Sequence, residues 1–280
     1  MSESFVLWSK IRSTRQAAIY FFMAKIRLDL LILQRGLCET RAKAQARILA
    51  GEVLVEGHPI TKAGTTVQED ADVRLRGDPL PYVSRGGLKL EGAIRAFGVD
   101  PIGLVCFDAG ASTGGFTDCL LQHGAERVYA VDAGTNQLHW KLRSDPRVVS
   151  IEQCNLRNWN SDSITEKCAL LTADVSFISL RLVVPPILPS LQSNAEAIVL
   201  VKPQFEAGRA EIEKGGLVKD PLVHERVCRD IWDFFSTTQL KPQQLAPSPI
   251  SGSHGNVEFL MYLRLGGKTR PFSAENIKGL

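Results

Sequence analysis

Apolar residues change their spacing several times along this chain, and each change marks an element. From Arg27 onward, Leu28, Leu30, Leu31 and Leu33 recur at helical spacing, and Gly36 is placed to end that helix. Thr40 is a candidate N-cap for a second helix over residues 41–50, closed by Gly51. Val53, Val55 and the Glu56-Gly57 turn predict a hairpin, and residues 66–75 alternate weakly as one further strand. Two prolines in Gly77-Asp78-Pro79-Leu80-Pro81-Tyr82-Val83 then predict a linker over 77–83.

Beyond it, short apolar runs alternate with helical patterns. Strands are expected at Leu104-Val105-Cys106-Phe107, Val128-Tyr129-Ala130-Val131-Asp132, Val148-Val149-Ser150-Ile151, Leu170-Leu171-Thr172-Ala173-Asp174 and Ala197-Ile198-Val199-Leu200-Val201. Helices are expected over 117–123, 137–143 and 224–235. Such alternation predicts an α/β fold with a doubly wound, mostly parallel, Rossmann-like sheet. Its ligand crevice would lie beyond the carboxyl ends of the strands. Val257-Glu258-Phe259-Leu260-Met261-Tyr262-Leu263 reads as a last, antiparallel strand whose apolar run Glu258 interrupts. The expected organisation is an extension over 1–24, a small module over 25–76, the linker over 77–83, a large domain over 84–265 and a tail over 266–280.

Composition narrows the class. With 280 residues, 44% hydrophobic content and a formal net charge of +3, the chain reads as a mildly basic globular protein that can bind nucleic acid without being obliged to. No apolar stretch approaches the roughly 18–20 residues that span a bilayer. Cys38, Cys106, Cys119, Cys154, Cys168 and Cys228 form no C-x-x-C pair, a pattern of reduced thiols in a cytoplasmic setting. No metal is called for. Residues 1–24 carry Lys10, Arg12 and Arg15 against a lone Glu3. They fit either an organellar transit peptide or an upstream start ahead of Met23, and the second agrees better with an ordered pattern that begins there.

The candidate chemistry starts at Asp108-Ala109-Gly110-Ala111-Ser112-Thr113-Gly114-Gly115-Phe116, between the first strand of the large domain and a helix. Glycine-rich backbone there can approach a nucleotide-like ligand closely. No Lys follows as in a phosphate loop, and the glycine spacing is not the dinucleotide fingerprint. An acid ahead of the first Gly suits a cofactor bearing an ammonium group, which S-adenosylmethionine has. Asp108, Gly110, Ser112, Gly114, Gly115 and Phe116 are therefore candidate cofactor residues. Asp132, 22 positions after Gly110, is placed for a ribose diol, and Asn155 for the adenine.

Lys89, Asp174, Lys202 and Glu258 form the catalytic hypothesis, two of them at expected strand ends. A hydroxyl attacking a methyl group must lose its proton, and a lysine made basic by burial or a neighbouring cation can take it. Base N-methylation commonly uses [DN]-P-P-[YFW], where this chain has Asp174-Val175-Ser176-Phe177; cytosine C5 methylation uses Pro-Cys, which is absent. Oxygen methylation remains. On the second helix of the small module Arg41, Lys43 and Arg47 can point outward near a helix N-terminus, a setting for phosphate or simply a solvated face.

Two resemblances sharpen this. Arg27-Leu28-Asp29, Arg35-Gly36-Leu37, Thr40-Arg41-Ala42-Lys43-Ala44 and Gly51-Glu52-Val53-Leu54-Val55-Glu56-Gly57 resemble the S4 domain, which implies a small α+β (α-L) fold gripping structured RNA. The candidate RNA contacts are then Arg27, Arg41, Lys43, Arg47, Lys62 and Arg85. The blocks Ser84-Arg85-Gly86-Gly87-Leu88-Lys89-Leu90, Asp108 to Thr117, Ala173 to Leu180, Val201-Lys202-Pro203-Gln204-Phe205-Glu206 and Gly255-Asn256-Val257-Glu258 resemble the TlyA, or hemolysin A, family over about residues 24–265. That family joins an S4 domain to an FtsJ-like methyltransferase. The resemblance implies S-adenosylmethionine-dependent 2′-O-methylation of cytidine in ribosomal RNA or ribosomal subunits, with Lys89, Asp174, Lys202 and Glu258 as the family's Lys-Asp-Lys-Glu tetrad. Two departures stand out: Leu80-Pro81-Tyr82-Val83 replaces the family's R-x-W-V, and Glu39 stands where some members have a basic residue. A membrane-active cytolysin and an RNA-binding protein with an inactive methyltransferase domain are the rival readings.

Overall fold

A computed structural model describes residues 25–69, 71–76, 80–252 and 255–277. The expected extension over 1–24, most of the linker's first half and the last three residues of the tail lie outside them. The described residues form two compact units, one ending at Arg76 and one starting at Leu80.

In the first unit β1 (Lys25–Arg27) leads into α1 (Leu28–Gln34), and α2 (Arg41–Leu49) follows, its Thr40 hydroxyl accepting from the Lys43 amide. The hairpin β2 (Val53–Val55) and β3 (His58–Ile60) forms as expected. Residues 66–75 do not make one strand. They make β4 (Thr66–Gln68), paired with β1, and β5 (Val73–Leu75), paired with β2. The break is a turn in which the Ala71 amide bonds the Gln68 carbonyl, and weak alternation could not reveal it. Leu28, Leu31, Ile32, Ala44, Ile48, Val53 and Val73 make the core.

Asp29 is fully buried in the first turn of α1, and sequence reasoning gave it no role. Its carboxylate accepts from the Arg27 guanidinium at 3.0 and 2.9 Å, from Arg41 at 3.0 Å and from Gln45 at 2.8 Å. The Arg27 hydrogen bonds hold its carboxyl well below the usual carboxylate range, against the opposing pull of burial. One acid thus joins β1, α1 and α2.

The second unit begins earlier than a free linker would allow. Tyr82 is buried, the Val83 amide donates to Asp118 at 2.8 Å, and Gln122 donates to the Pro81 carbonyl. Then follow α3 (Gly86–Phe97), β6 (Val105–Ala109), α4 (Gly115–Gln122), β7 (Arg127–Val131), α5 (Trp140–Arg143) and β8 (Val148–Ile151). After them come β9 (Cys168–Ala173), α6 (Leu180–Val183), β10 (Leu191–Val201), α7 (Pro203–Glu206), α8 (Pro221–Thr237), β11 (Leu240–Pro247) and β12 (Phe259–Leu265). The sheet order is β11-β12-β10-β9-β6-β7-β8, parallel from β10 to β8, with β12 antiparallel as expected. Successive strand residues serve opposite faces: Ala197, Val199 and Val201 pack towards α8, while Ile198 and Leu200 join the core that holds α3 and α4. Both faces are covered, so these strands read as unbroken apolar runs.

Four boundaries differ from expectation. The helix over 137–143 shrinks to one turn because the His139 ring caps it by accepting from the Lys141 amide. β10 starts at Leu191, and the polar Gln192, Ser193 and Asn194 hid its first half although Leu191 and Ala195 there are buried. β11 carries Pro242 and Pro247, which hide it from pattern reading and are tolerated on an edge strand. Glu258 precedes β12 rather than interrupting it.

Asp29→Asn is expected to cost about 1.5–3 kcal/mol, the worth of hydrogen bonds to a buried charge. Because the folded carboxyl titrates below its unfolded value, its stabilisation is present above about pH 4 and fades as pH falls below that. Urea unfolding of wild type and variant at pH 7 and pH 3 should therefore show a gap that narrows in acid.

Candidate active site

The chain runs outward from β6 to β7 and β8, then returns to place β9 and β10 on the other side of β6. The crevice at that switch point is the natural ligand site of an open parallel sheet. Here the glycine-rich turn leaves β6. The Gly110 and Ala111 amides both bond the Val131 carbonyl, at 2.8 and 3.2 Å. Gly110 has φ +82°, and a Cβ there would stand 2.6 Å from the Asp174 carbonyl oxygen, so only glycine fits. Ser112 and Gly114 also have positive φ, and Gly115 opens α4 beside the buried Phe116 ring.

Asp132 follows β7 and is half-buried. One carboxylate oxygen accepts the Ser112 amide at 2.8 Å and the other the Gly134 amide at 2.7 Å, which fixes the carboxylate between the two turns. Asn155 is exposed, and its side-chain oxygen accepts the Arg157 amide to start a short turn of helix; its amide NH2 is what it has left to offer.

Asp108 requires a correction. β6 runs on to Ala109, so Asp108 is not at the strand end, and its side chain does not border the cleft. It is fully buried, accepting the Thr117 hydroxyl at 2.6 Å and the Thr172 hydroxyl at 2.9 Å, and ties α4 and β9 to β6. Burial pushes its carboxyl up to about 6, against those two hydrogen bonds.

A cleft of about 270 Å³ opens beside the turn, bordered by Arg85, Lys89, Phe116, Asp174, Ser176 and Lys202. Lys89 projects from α3 and its Nζ donates to Glu258 Oε2 at 2.5 Å. Glu258 is itself buried; Gly252 passes so close to its carboxylate that any side chain there would collide with it. Lys202 follows β10, with Nζ 2.6 Å from Asp174 Oδ1 and 3.0 Å from Ser176 Oγ. The structure therefore brings Lys89, Asp174 and Lys202 to one cleft and sets Glu258 against Lys89.

Several neighbours escaped sequence reasoning. Phe177 has φ +63° and is 89% exposed, its ring 5.0 Å from that of Phe205, over which the Lys202 ammonium sits at 5.7 Å. The run Asp174-Val175-Ser176-Phe177 was in view, but nothing in a sequence reports an aromatic turned outward. Gly252 and Ser251 were likewise silent.

The six candidate RNA contacts do not share one environment. Arg27 and Arg41 are half-exposed and anchored on Asp29, Lys43 pairs with Glu39, Arg47 lies 4.0 Å from Glu52, and Lys62 is exposed. Arg85 belongs to the second unit, where it borders the cleft and donates to the Ser251 carbonyl at 3.3 Å.

A parallel sheet with a glycine turn at its switch point, an acid after the next strand and two lysine–carboxylate pairs in the crevice defines a methyltransferase. The sequence model of FtsJ-like methyltransferases matches residues 82–265, and that of the S4 domain matches residues 26–73. The chain belongs to the FtsJ-like methyltransferase family and carries an S4 domain ahead of the catalytic fold. It is 46% identical over 245 residues to YqxC of Bacillus subtilis, whose name gives rRNA methyltransferase as a proposed activity, with 87% of each chain covered. It is 39% identical over 257 residues to the 16S/23S rRNA (cytidine-2′-O)-methyltransferase TlyA of Mycobacterium tuberculosis, covering 91% of this chain and 94% of that one. A solved structure from Streptococcus thermophilus that carries a hemolysin name matches with a TM-score of 0.71 and 42% identity, covering 91% and 94% of the two chains. The resemblance drawn from the motifs, and the α/β fold expected with it, both hold.

The raised Asp108 carboxyl gives a pH signature. A folded value of about 6 against an unfolded value near 3.9 means that its contribution is full below about pH 4 and is lost as pH rises to about 6. The loss amounts to about 3 kcal/mol, since each tenfold change in proton affinity is worth about 1.4 kcal/mol. Asp108→Asn, which keeps one acceptor and gains a donor, should gain stability relative to wild type between pH 4.5 and 7.5 in urea titrations. An unchanged difference would mean that Asp108 ionises as freely in the folded protein as in the unfolded one.

Proposed function

We propose that this protein transfers the methyl group of S-adenosylmethionine to the ribose 2′-hydroxyl of cytidine in ribosomal RNA. The observation that supports this most is the pair of lysine–carboxylate contacts, Lys89–Glu258 and Lys202–Asp174, at the cleft beside the Gly110 turn. Residues 25–76 would grip the RNA and residues 84–265 would carry the chemistry, in the cytoplasm and on free RNA or a ribosomal subunit.

The residues present fit the cofactor. The turn from Gly110 to Gly115 lines the cleft with backbone that a cofactor can approach, and Asp132 holds a carboxylate fixed by two backbone amides where a ribose diol could bond it. When bound, S-adenosylmethionine supplies an electrophilic methyl group on a sulfonium. Lys202 and Lys89 would then orient the 2′-hydroxyl by hydrogen bonds to its oxygen. A lysine can take the hydroxyl proton at Nζ only when neutral, and Asp174 and Glu258 hold the two amines in place by short ion pairs. Ser176 limits where the Lys202 ammonium can swing. Phe177 presents an open aromatic face on which the target base can stack, beside the lysine that meets its ribose. Positioning of this kind is worth several powers of ten in rate without any further chemistry.

The hemolysin name of some relatives finds no specific support at this site. No helix among the described residues is long and apolar enough to cross a membrane.

Lys89→Ala, Lys202→Ala and Glu258→Ala should each lower methyl transfer by about 10²–10⁴-fold, the usual worth of a positioned acid–base group. RNA affinity should survive. The assay is incorporation of labelled methyl groups into ribosomal RNA, with nuclease digestion and mass measurement to place the label on a cytidine ribose. Wild-type rates in all three variants would remove the catalytic assignment.

A further inference from the structure

A second concavity, of about 550 Å³, lies at the opposite end of the same sheet. It is bordered by Ser193 and Asn194 of β10, Gln243 of β11, and the chain from Arg264 to Arg270 that leaves β12. Three of its side chains, Arg264, Lys268 and Arg270, are cations, and none is an acid. All three are exposed, and none is ion-paired among the described residues, whereas Arg226 and Arg229 of α8 are each held by carboxylates.

Two other charges face this row. Glu196 lies opposite Arg264 in the β10–β12 register and offsets part of that one charge, while its carboxylate accepts the Tyr262 hydroxyl at 2.5 Å. Lys241 lies opposite Arg264 on the other side, and its Nζ donates to the Ser236 carbonyl at the end of α8. Like charges directly opposite in a sheet are destabilising. Crowding cations around a concavity costs free energy that an anion seated among them offsets.

We propose that this groove binds backbone phosphates of the RNA substrate, far from the reacting nucleotide. The proposal rests on the RNA methyltransferase reading and deepens it. Arginine's planar fork suits phosphate oxygens, and Lys268 adds a mobile point charge. β10 connects the two sites: Asn194 borders the groove and Lys202 the cleft, eight residues apart, or about 26 Å at ~3.3 Å per residue. An RNA that fills both must span at least that distance. A strand of only two or three nucleotides around the target cannot reach.

Lys268→Gln and Arg270→Gln together leave the strands and the cleft untouched. With intact ribosomal RNA, the plot of log affinity against log salt should flatten by about two, one per cation, and affinity near 0.1 M salt should fall roughly tenfold. Binding of a short strand carrying the target nucleotide should not change, nor should transfer at saturating RNA. Wild-type affinity and slope in the double variant, with wild-type protein methylating the RNA, would overturn the groove and leave the methyltransferase reading standing. An equal loss on the short strand would overturn it too, as charge acting at a distance. So would unchanged RNA affinity with loss of inorganic phosphate binding, which would assign the groove to a free anion. A wild-type protein that neither binds nor methylates ribosomal RNA would overturn both readings.

Discussion

A constraint on which much of the catalytic unit depends is the passage of Gly110 against the Asp174 carbonyl. Two strands that are distant in sequence end side by side, and the Asp174 amide bonds the Ala109 carbonyl at 3.0 Å. A side chain at position 110 would push the second strand away, and with it the carboxylate that faces Lys202. The glycine turn is therefore more than room for a cofactor. It sets the spacing between the cofactor side of the crevice and the proposed catalytic side, so that one backbone contact governs both. Asp108, buried one residue before the end of β6, reinforces it by bonding Thr172 of β9.

Burying charge beside such a site has a cost. Desolvating an isolated ammonium or carboxylate is expensive, and a pair recovers it only with short, well-formed contacts. Lys89 and Glu258 are 169 residues apart in sequence, and both are nearly buried. Their pairing forces α3 and the segment before β12 together, with Gly252 leaving space for the carboxylate. A chain optimised for stability alone would do as well with apolar residues of similar volume. Retaining two such pairs at one cleft is what chemistry requires and packing does not.

Much of this was legible in the chain. Four of the parallel strands showed as apolar runs because both sheet faces are covered there, the exposed edge strand β8 showed through Val148, Val149 and Ile151, and the helix ends showed through Gly36, Thr40 and Gly51. The grouping of Lys89, Asp174, Lys202 and Glu258 came from motif blocks, not from physical pattern: nothing in the spacing of Lys89 and Glu258 says that they meet, as they do. What stayed hidden depends on long-range geometry. β11 was masked by its prolines, which an edge strand tolerates. Asp108 was read as a ligand because an acid ahead of the first Gly suits an ammonium group, but β6 runs on to Ala109 and the side chain is buried against Thr117 and Thr172. Asp29 carried no signal, since a buried acid and a solvated one are the same letter.

Under the proposed function, fixed and mobile cations would divide the work of holding RNA. In the first unit Arg27 and Arg41 are half-exposed, yet their guanidinium groups are fixed by a fully buried carboxylate. An arginine held in this way has already lost much of its rotamer freedom, so contact with a phosphate orders it less at the moment of binding. It keeps its charge, because donating one edge of the fork to Asp29 leaves further N–H groups free of that bond. Lys43, Lys62 and the cations around the far groove are not restrained by a buried partner, and they suit adjustable, salt-sensitive attraction. In the proposed reading, fixed arginines would set register and mobile cations would add affinity, a division that suits a large folded RNA held firmly while one ribose is presented to Lys89 and Lys202.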